Sequence, residues 1–293
     1  MTVTTPTDLI RFSCPHIGHQ RDMTIPLLGA DRVGTGEPLL LLHGIGSTRD
    51  DFAGLLPVLR EHFDVLSLDL PGHGSSPALA ARPTIEALTA AVIADLDARG
   101  LDRVHVLGNS LGGRIAIELA RQHRALSVVA ISPSGLGLPL ERAFQGTLMT
   151  TARLMNQARR PWMDELSRTV PGRMTLMAGL RAQPWRASRT ESLAVRGGFA
   201  DATGFWSMLW NAVLADVPTR LDQIDCPVIV AQGAFDVIGS GQTPRYTPVI
   251  RGARFVLLPF AGHAPMSDSP ESIVSLVRSA ADDAAARELA PAA

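Results

Sequence analysis

The sequence predicts an α/β protein, with one doubly wound, mostly parallel sheet and an inserted helical cap. Three observations lead there. Short aliphatic runs alternate with longer helical patterns along most of the 293 residues. Those runs mostly lack polar alternation, as strands covered on both faces do. The alternation stops between residues 134 and 217, where no clear strand pattern is found.

In chain order, the first 35 residues alternate weakly, with 24–28 and its neighbours suiting antiparallel strands at the sheet edge. Buried strands are expected at 39–42, 65–68, 104–107, 128–131, 228–231 and 255–258. Helices are expected at 48–60, 84–99, 111–123 and 270–281, and the Ala-rich tail after Ala280 is expected to fray. Strand–helix–strand order implies crossovers within one sheet. Residues 1–133 and 218–293 then form the core domain, and 134–217 the cap. Such an insertion covers the crevice at the carboxyl ends of the strands, where ligands bind.

The insertion holds all four tryptophans: Trp162, Trp185, Trp206 and Trp210. Its ten Arg against six acidic residues give +4, so the rest of the chain, at −1 overall, carries −5. Trp206, Trp210, Val213 and Val217 fall on one helical face. That face either packs the cap onto the core or lines an apolar acyl pocket. Trp206 and Trp210 are therefore candidate substrate contacts, together with Asn109.

Composition narrows the function. Hydrophobic residues make up 46% and charged residues 19%, enough for a sizeable core. A net charge of −1 gives no electrostatic reason for nucleic acid or an anionic membrane as partner. All 27 basic residues are Arg, which excludes Schiff-base, P-loop-lysine and Ser-Lys mechanisms. Tyr246 is the single Tyr, so a Tyr-Lys relay is excluded as well. Two cysteines, Cys14 and Cys226, are too few for a disulfide framework or a thiolate cluster, and Cys226 reads as a small core hydrophobe. Residues 1–10 lack a signal-peptide pattern, and no apolar run approaches the roughly 20 residues that span a bilayer. The expectation is a cytoplasmic protein with a small-molecule apolar substrate, no nucleic-acid or membrane partner, and no metal or organic cofactor. A homo-oligomer is compatible with the sequence.

Gly108-Asn109-Ser110-Leu111-Gly112 carries the chemistry. It follows a predicted strand and opens a predicted helix, the context a G-x-S-x-G motif requires. A serine on so sharp a turn projects its hydroxyl into the crevice, and glycines two residues away avoid clashes. The following helix supplies N–H groups and a positive dipole end for an oxyanion. A serine needs a base and an acid. His263 follows the last strand and is the base candidate. Asp236 follows the 228–231 strand and is the acid candidate. His16, His19, His62, His105 and His123 read as structural. Asp69 reads as a turn former, Asp201 and Asp216 as solvated cap residues, and Ser75 and Ser76 as a turn.

Five motifs in order make the chain similar to capped serine hydrolases of the α/β-hydrolase superfamily. They are His43-Gly44-Ile45-Gly46, Asp69-Leu70-Pro71-Gly72-His73-Gly74-Ser75-Ser76, the run from Gly108 to Gly113, Gly233-Ala234-Phe235-Asp236 and Gly262-His263-Ala264-Pro265. The resemblance covers nearly the whole chain. It implies the order Ser110, Asp236, His263 for the triad. Where some relatives place the acid after the preceding strand, this chain reads Ser132-Pro133-Ser134. The oxyanion donors implied are the N–H groups of Leu111 and Ile45, with His43 supporting that loop and His73 in turn chemistry or at the rim. Ser at the nucleophile position sets the chain apart from relatives that attack with Asp. The activity implied is ester cleavage through an acyl-enzyme. The alternative is a meta-cleavage C–C hydrolase, although that branch usually has Trp where Ala264 stands and a glycine-rich oxyanion loop. A non-catalytic ligand-binding protein is the other-class alternative, which a complete triad disfavours.

Overall fold

The computed structural model describes residues 27–239 and 241–289. Seven strands form one sheet: β1 (Ala30–Val33), β2 (Glu37–Leu42), β3 (Phe63–Leu68), β4 (Val104–Asn109), β5 (Ala125–Ile131), β6 (Val228–Gly233) and β7 (Arg254–Leu258). Their spatial order is β1-β3-β2-β4-β5-β6-β7. Only β1 is antiparallel, pairing Ala30 with Leu68. The Leu run of β2 shows how the sheet is covered. Leu40 and Leu42 join one core cluster, and Leu39 and Leu41 join the other. Alternation of side chains along a strand turns a uniformly apolar run into two buried faces.

One face is covered by α2 (Ile85–Ala98) and α3 (Leu111–Arg121), the other by α1 (Leu56–Leu59) and α9 (Pro270–Leu289). Thr84 caps α2 by accepting from the Ala87 N–H at 3.2 Å. Between β5 and β6 lie α4 (Pro139–Arg159), α5 (Met163–Arg168), α6 (Val170–Met177), α7 (Arg189–Val195) and α8 (Phe205–Met208). Among the described residues this insertion holds no strand beyond one isolated bridge, Ala178 with Arg181. No helix among the described residues is long and apolar enough to cross a membrane.

Several expectations need correction. The edge segment expected at 24–28 lies largely outside the described residues, and Leu27 and Leu28 are not in a strand; the antiparallel edge strand is β1. Cys14, His16, His19 and residues 1–10 also lie outside the described residues. The helix expected at 48–60 is instead a 3₁₀ turn, Arg49–Phe52, followed by α1. Pro57 lacks an N–H and is tolerated only in a first turn, so the helix restarts there. β7 is not fully buried. Phe255 and Leu257 are exposed at the sheet edge, where no helix among the described residues covers that face. The tail after Ala280 does not fray at once: α9 runs to Leu289, with Ala280, Ala281 and Ala284 buried. Ala is the best helix former, and here it packs on the sheet.

Asp216 is not solvated. It pairs with Arg114 of α3 at 2.7 Å, tying the end of the insertion to the core. Cys226 is a buried free thiol, pushed up to about 11 by burial.

If residues past Ala280 are docked as helix, Ala284→Gly should cost about 1 kcal/mol in urea unfolding. A frayed tail would show no change.

Candidate active site

Ser110 sits between β4 and α3 with φ 53° and ψ −112°. A non-glycine residue at positive φ is strained, and such strain gathers at functional sites. The neighbouring glycines make the turn feasible. A Cβ on Gly108 would stand 2.3 Å from the Gly112 carbonyl oxygen, and one on Gly112 only 2.1 Å from that of Leu42. The Ser110 N–H donates to the Ile131 carbonyl at 2.8 Å, anchoring the turn to β5. Leu111 is the first residue of α3, where N–H groups lack intrahelical acceptors.

His263 Nδ1 lies 3.0 Å from Asp236 Oδ1. That same oxygen accepts the N–H groups of Ile238 and Gly239, each at 2.8 Å. Burial works to raise the Asp236 carboxyl. His263, by charge and hydrogen bond, and the Gly239 N–H outweigh it and bring the group to about 2. Ser110 and His263 line one narrow cavity of about 20 Å³. Ile45 faces the same space, as do Met149, Met177, Leu180, Val195 and Phe199 of the insertion. The structure therefore brings Ser110, Asp236, His263, Leu111 and Ile45 together.

It does not bring Trp206 or Trp210 there. Both point outward, 47% and 68% exposed, over a groove against α4. The expected shared face fails because the helix changes type. α8 gives way to a π-helical segment, Leu209–Leu214, so Val213 turns inward while Trp210 stays outside. Asn109 borders the cavity, but its amide is already engaged. It donates to the His263 carbonyl at 2.8 Å, which makes it a holder of the His263 loop rather than a free substrate contact.

His43 and His73 work as a pair behind the Ile45 loop. His43 Nε2 accepts from the Leu70 N–H at 2.9 Å, so its proton resides on Nδ1, which donates to the Gly44 carbonyl at 2.8 Å. His73 Nε2 accepts from the Gly46 N–H at 3.4 Å. Their rings meet edge-on at 5.1 Å. Burial first, and then the His43 charge, bring His73 down to about 3, and burial lowers His43. Both are neutral props of the loop, and His73 is buried rather than at a rim. Asp69 organises the adjoining turn through the Ser75 and Arg49 N–H groups, both at 2.9 Å. Ser76 Oγ donates to the Asp69 carbonyl at 2.6 Å, so these serines are turn residues as expected.

Two further groups escape sequence reading. The Asp268 carboxylate accepts from the N–H groups of Ala182, Gln183 and Gly262, each at 2.8 Å, bolting an insertion strap to the His263 loop. In sequence Asp268 resembles an ordinary residue ahead of a helix. Arg181 is fully buried in that strap. It donates to the Ala264 carbonyl, to Asp51 at 2.5 Å and to Glu191 at 3.4 Å. Asp51 faces the Ser110 cavity. Burial, opposed by the Arg181 charge and helped by Glu191, raises it to about 6.

With this geometry in place, the comparisons are specific. Residues 39–276 match the model of the alpha/beta hydrolase family, and the chain belongs to that family. It is 30% identical over 250 residues to the pimeloyl-[acyl-carrier protein] methyl ester esterase of Nitrosomonas europaea, covering 84% of this chain and 96% of that protein. It is 37% identical over 110 residues to the dihydrolipoyllysine-residue acetyltransferase component of the acetoin cleaving system of Cupriavidus necator; that match spans 37% of this chain but only 29% of that protein. In structure it is similar to a hydrolase from Pseudomonas aeruginosa PA01, with a TM-score of 0.69, 26% identity, and 86% and 92% of the two chains covered.

Asp236 yields a pH test. Its carboxyl is held below its ordinary value of 3.8, so its contribution is present above about pH 4 and lost as pH falls through about 2. The loss should be about 2 kcal/mol between pH 5 and 2 in urea unfolding, and Asp236→Asn should lack it. Arg181→Met would leave Asp51 and Glu191 buried without their cation. It should cost about 3 to 5 kcal/mol, read from the urea midpoint.

Proposed function

We propose that the protein is a serine carboxylesterase that cleaves an ester of a small alcohol and a medium-length apolar acyl group. The observation that carries this is the strained Ser110 sharing a narrow cavity with His263, whose other ring nitrogen is bonded to Asp236. Binding of Asp236 to Nδ1 leaves Nε2 for the serine. His263 Nε2 takes the Ser110 proton as Oγ attacks the ester carbonyl. The N–H groups of Leu111 and Ile45 hold the oxyanion, and Asp236 stabilises the imidazolium. The C–O bond to the alcohol breaks, and the alcohol leaves with the proton from Nε2. Water then attacks the acyl-enzyme, passes its proton to Nε2, and the acid departs as Ser110 is reprotonated.

Space supports the substrate class. The cavity at Ser110 has room for only a small group. It shares Met149, Leu180 and Phe199 with an adjoining apolar passage of about 140 Å³ between α4, α6 and Ile238. A small alcohol beside Ser110 and an elongated apolar chain in the passage fit this shape. The likeness to methyl ester esterases across most of both chains agrees with it. The C–C alternative asks for a cation near the nucleophile to hold a substrate carboxylate. The charged side chain facing this cavity is Asp51, and Arg181 behind it is already paired.

The test is hydrolysis of p-nitrophenyl esters from short to long acyl chains by wild type and Ser110→Ala. Turnover should peak at short to medium chains and fall by about 10⁴-fold or more in the variant. Equal rates in the two proteins would overturn the reading.

A further inference from the structure

All four tryptophans lie in the insertion, and each is about half exposed or more, from 47% at Trp206 to 68% at Trp210. Trp is a side chain that folded proteins bury on average, so four outward rings in one segment need an account. α4 adds to the puzzle. Its buried positions include Gln145, Arg153 and Asn156, while Leu140, Phe144 and Leu154 face solvent. Among the described residues nothing covers the apolar groups this helix displays.

Three of the four tryptophans, Trp185, Trp206 and Trp210, lie along connected cavities. The groove under Trp206 and Trp210 meets the passage to Ser110 at Thr151. On its other side that passage meets, at Gly179, an apolar cup formed by Trp185, Phe235, Val237 and Phe260. Phe260 is 69% exposed and held at φ 55°. One apolar belt therefore runs across the mouth of the passage and reaches the residues flanking Asp236. The charges along it have one sign. Among the described residues, the half-buried Arg142 and Arg159 line the belt and no carboxylate does, while Arg181 beneath it is buried and paired with Asp51 and Glu191.

We infer that this belt docks on a lipid bilayer surface bearing anionic headgroups. Amphipathic aromatic rings suit the headgroup boundary, and guanidinium groups beside them suit anionic lipid. Two copies pairing through the same face would bring like charges together, which disfavours self-association. Docking places the passage mouth against the lipid phase. That this phase supplies the ester rests on the esterase reading; the docking itself does not. The expectation of no membrane partner came from overall charge and the lack of a spanning run, and neither reports where the apolar surface lies.

The test is flotation of the full chain with vesicles of phosphatidylcholine alone and of equimolar phosphatidylcholine and phosphatidylglycerol, at low salt, followed by tryptophan emission. The protein should float with the anionic vesicles, its emission should shift to the blue, and brominated lipid should quench it. Trp210→Ser should weaken binding about tenfold and Arg159→Gln about fivefold. Trp210→Ser should still turn over a water-soluble short ester at the wild-type rate, which separates docking from chemistry. Absence of flotation with both vesicles, or equal flotation of Trp210→Ser, would overturn the inference. So would a blue shift that grows with protein concentration without lipid, because a second copy would then cover the belt. None of these outcomes bears on whether Ser110 cleaves esters.

Discussion

The closeness of α3 to β2 is the constraint on which the rest of the molecule depends. Gly112 passes so near the Leu42 carbonyl that no side chain fits between them. That approach forces the chain to reverse within two residues of β4 and puts Ser110 at positive φ. It also brings the end of β2, and hence the Ile45 loop, beside the start of α3. The candidate nucleophile and both candidate oxyanion donors are thus placed by one backbone contact. The strain at Ser110 is balanced by burial around it, since α3 is buried at nearly every position from Leu111 to Ala120.

The candidate base is placed differently. His263 lies on a loop, and loops need ties. Asn109 holds its carbonyl from the nucleophile side, and Asp236 holds its ring. The insertion strap holds the loop from the other side, where Leu180 accepts the Ala264 N–H and Asp268 gathers three strap and loop N–H groups. The insertion therefore holds the His263 loop as well as walling the cavity. Its π-helical turn, Arg196–Ala200, presses on the Ile45 loop as well, with Gly198 against the backbone of Gly46.

Charge is used with economy inside this assembly. Two neutral imidazoles, His43 and His73, prop the Ile45 loop without adding charge near a developing oxyanion. One buried guanidinium, Arg181, serves two carboxylates and a carbonyl. A lysine could not span those partners, because its ammonium is a compact point charge and the guanidinium a planar fork.

By itself the sequence determined the sheet and pointed to the main members of the candidate site. Runs such as 39–42 have no polar alternation, and only a two-sided parallel sheet buries them. The glycines around Ser110 and the strand ends before Asp236 and His263 are local signals, because backbone sterics and short loops act within a few residues. The tertiary structure alone decided what depends on partners distant in sequence. Asp216 looked solvated until Arg114, 102 residues away, came beside it. Trp206 and Trp210 looked like part of a face packing on the core or lining a pocket, and both instead point outward over the α4 groove. Asn109, Arg181 and Asp268 take their roles from carbonyl and amide groups up to 154 residues away. Periodicity reports which face of a helix is apolar; only packing decides whether that face meets the core, the cavity or the outside.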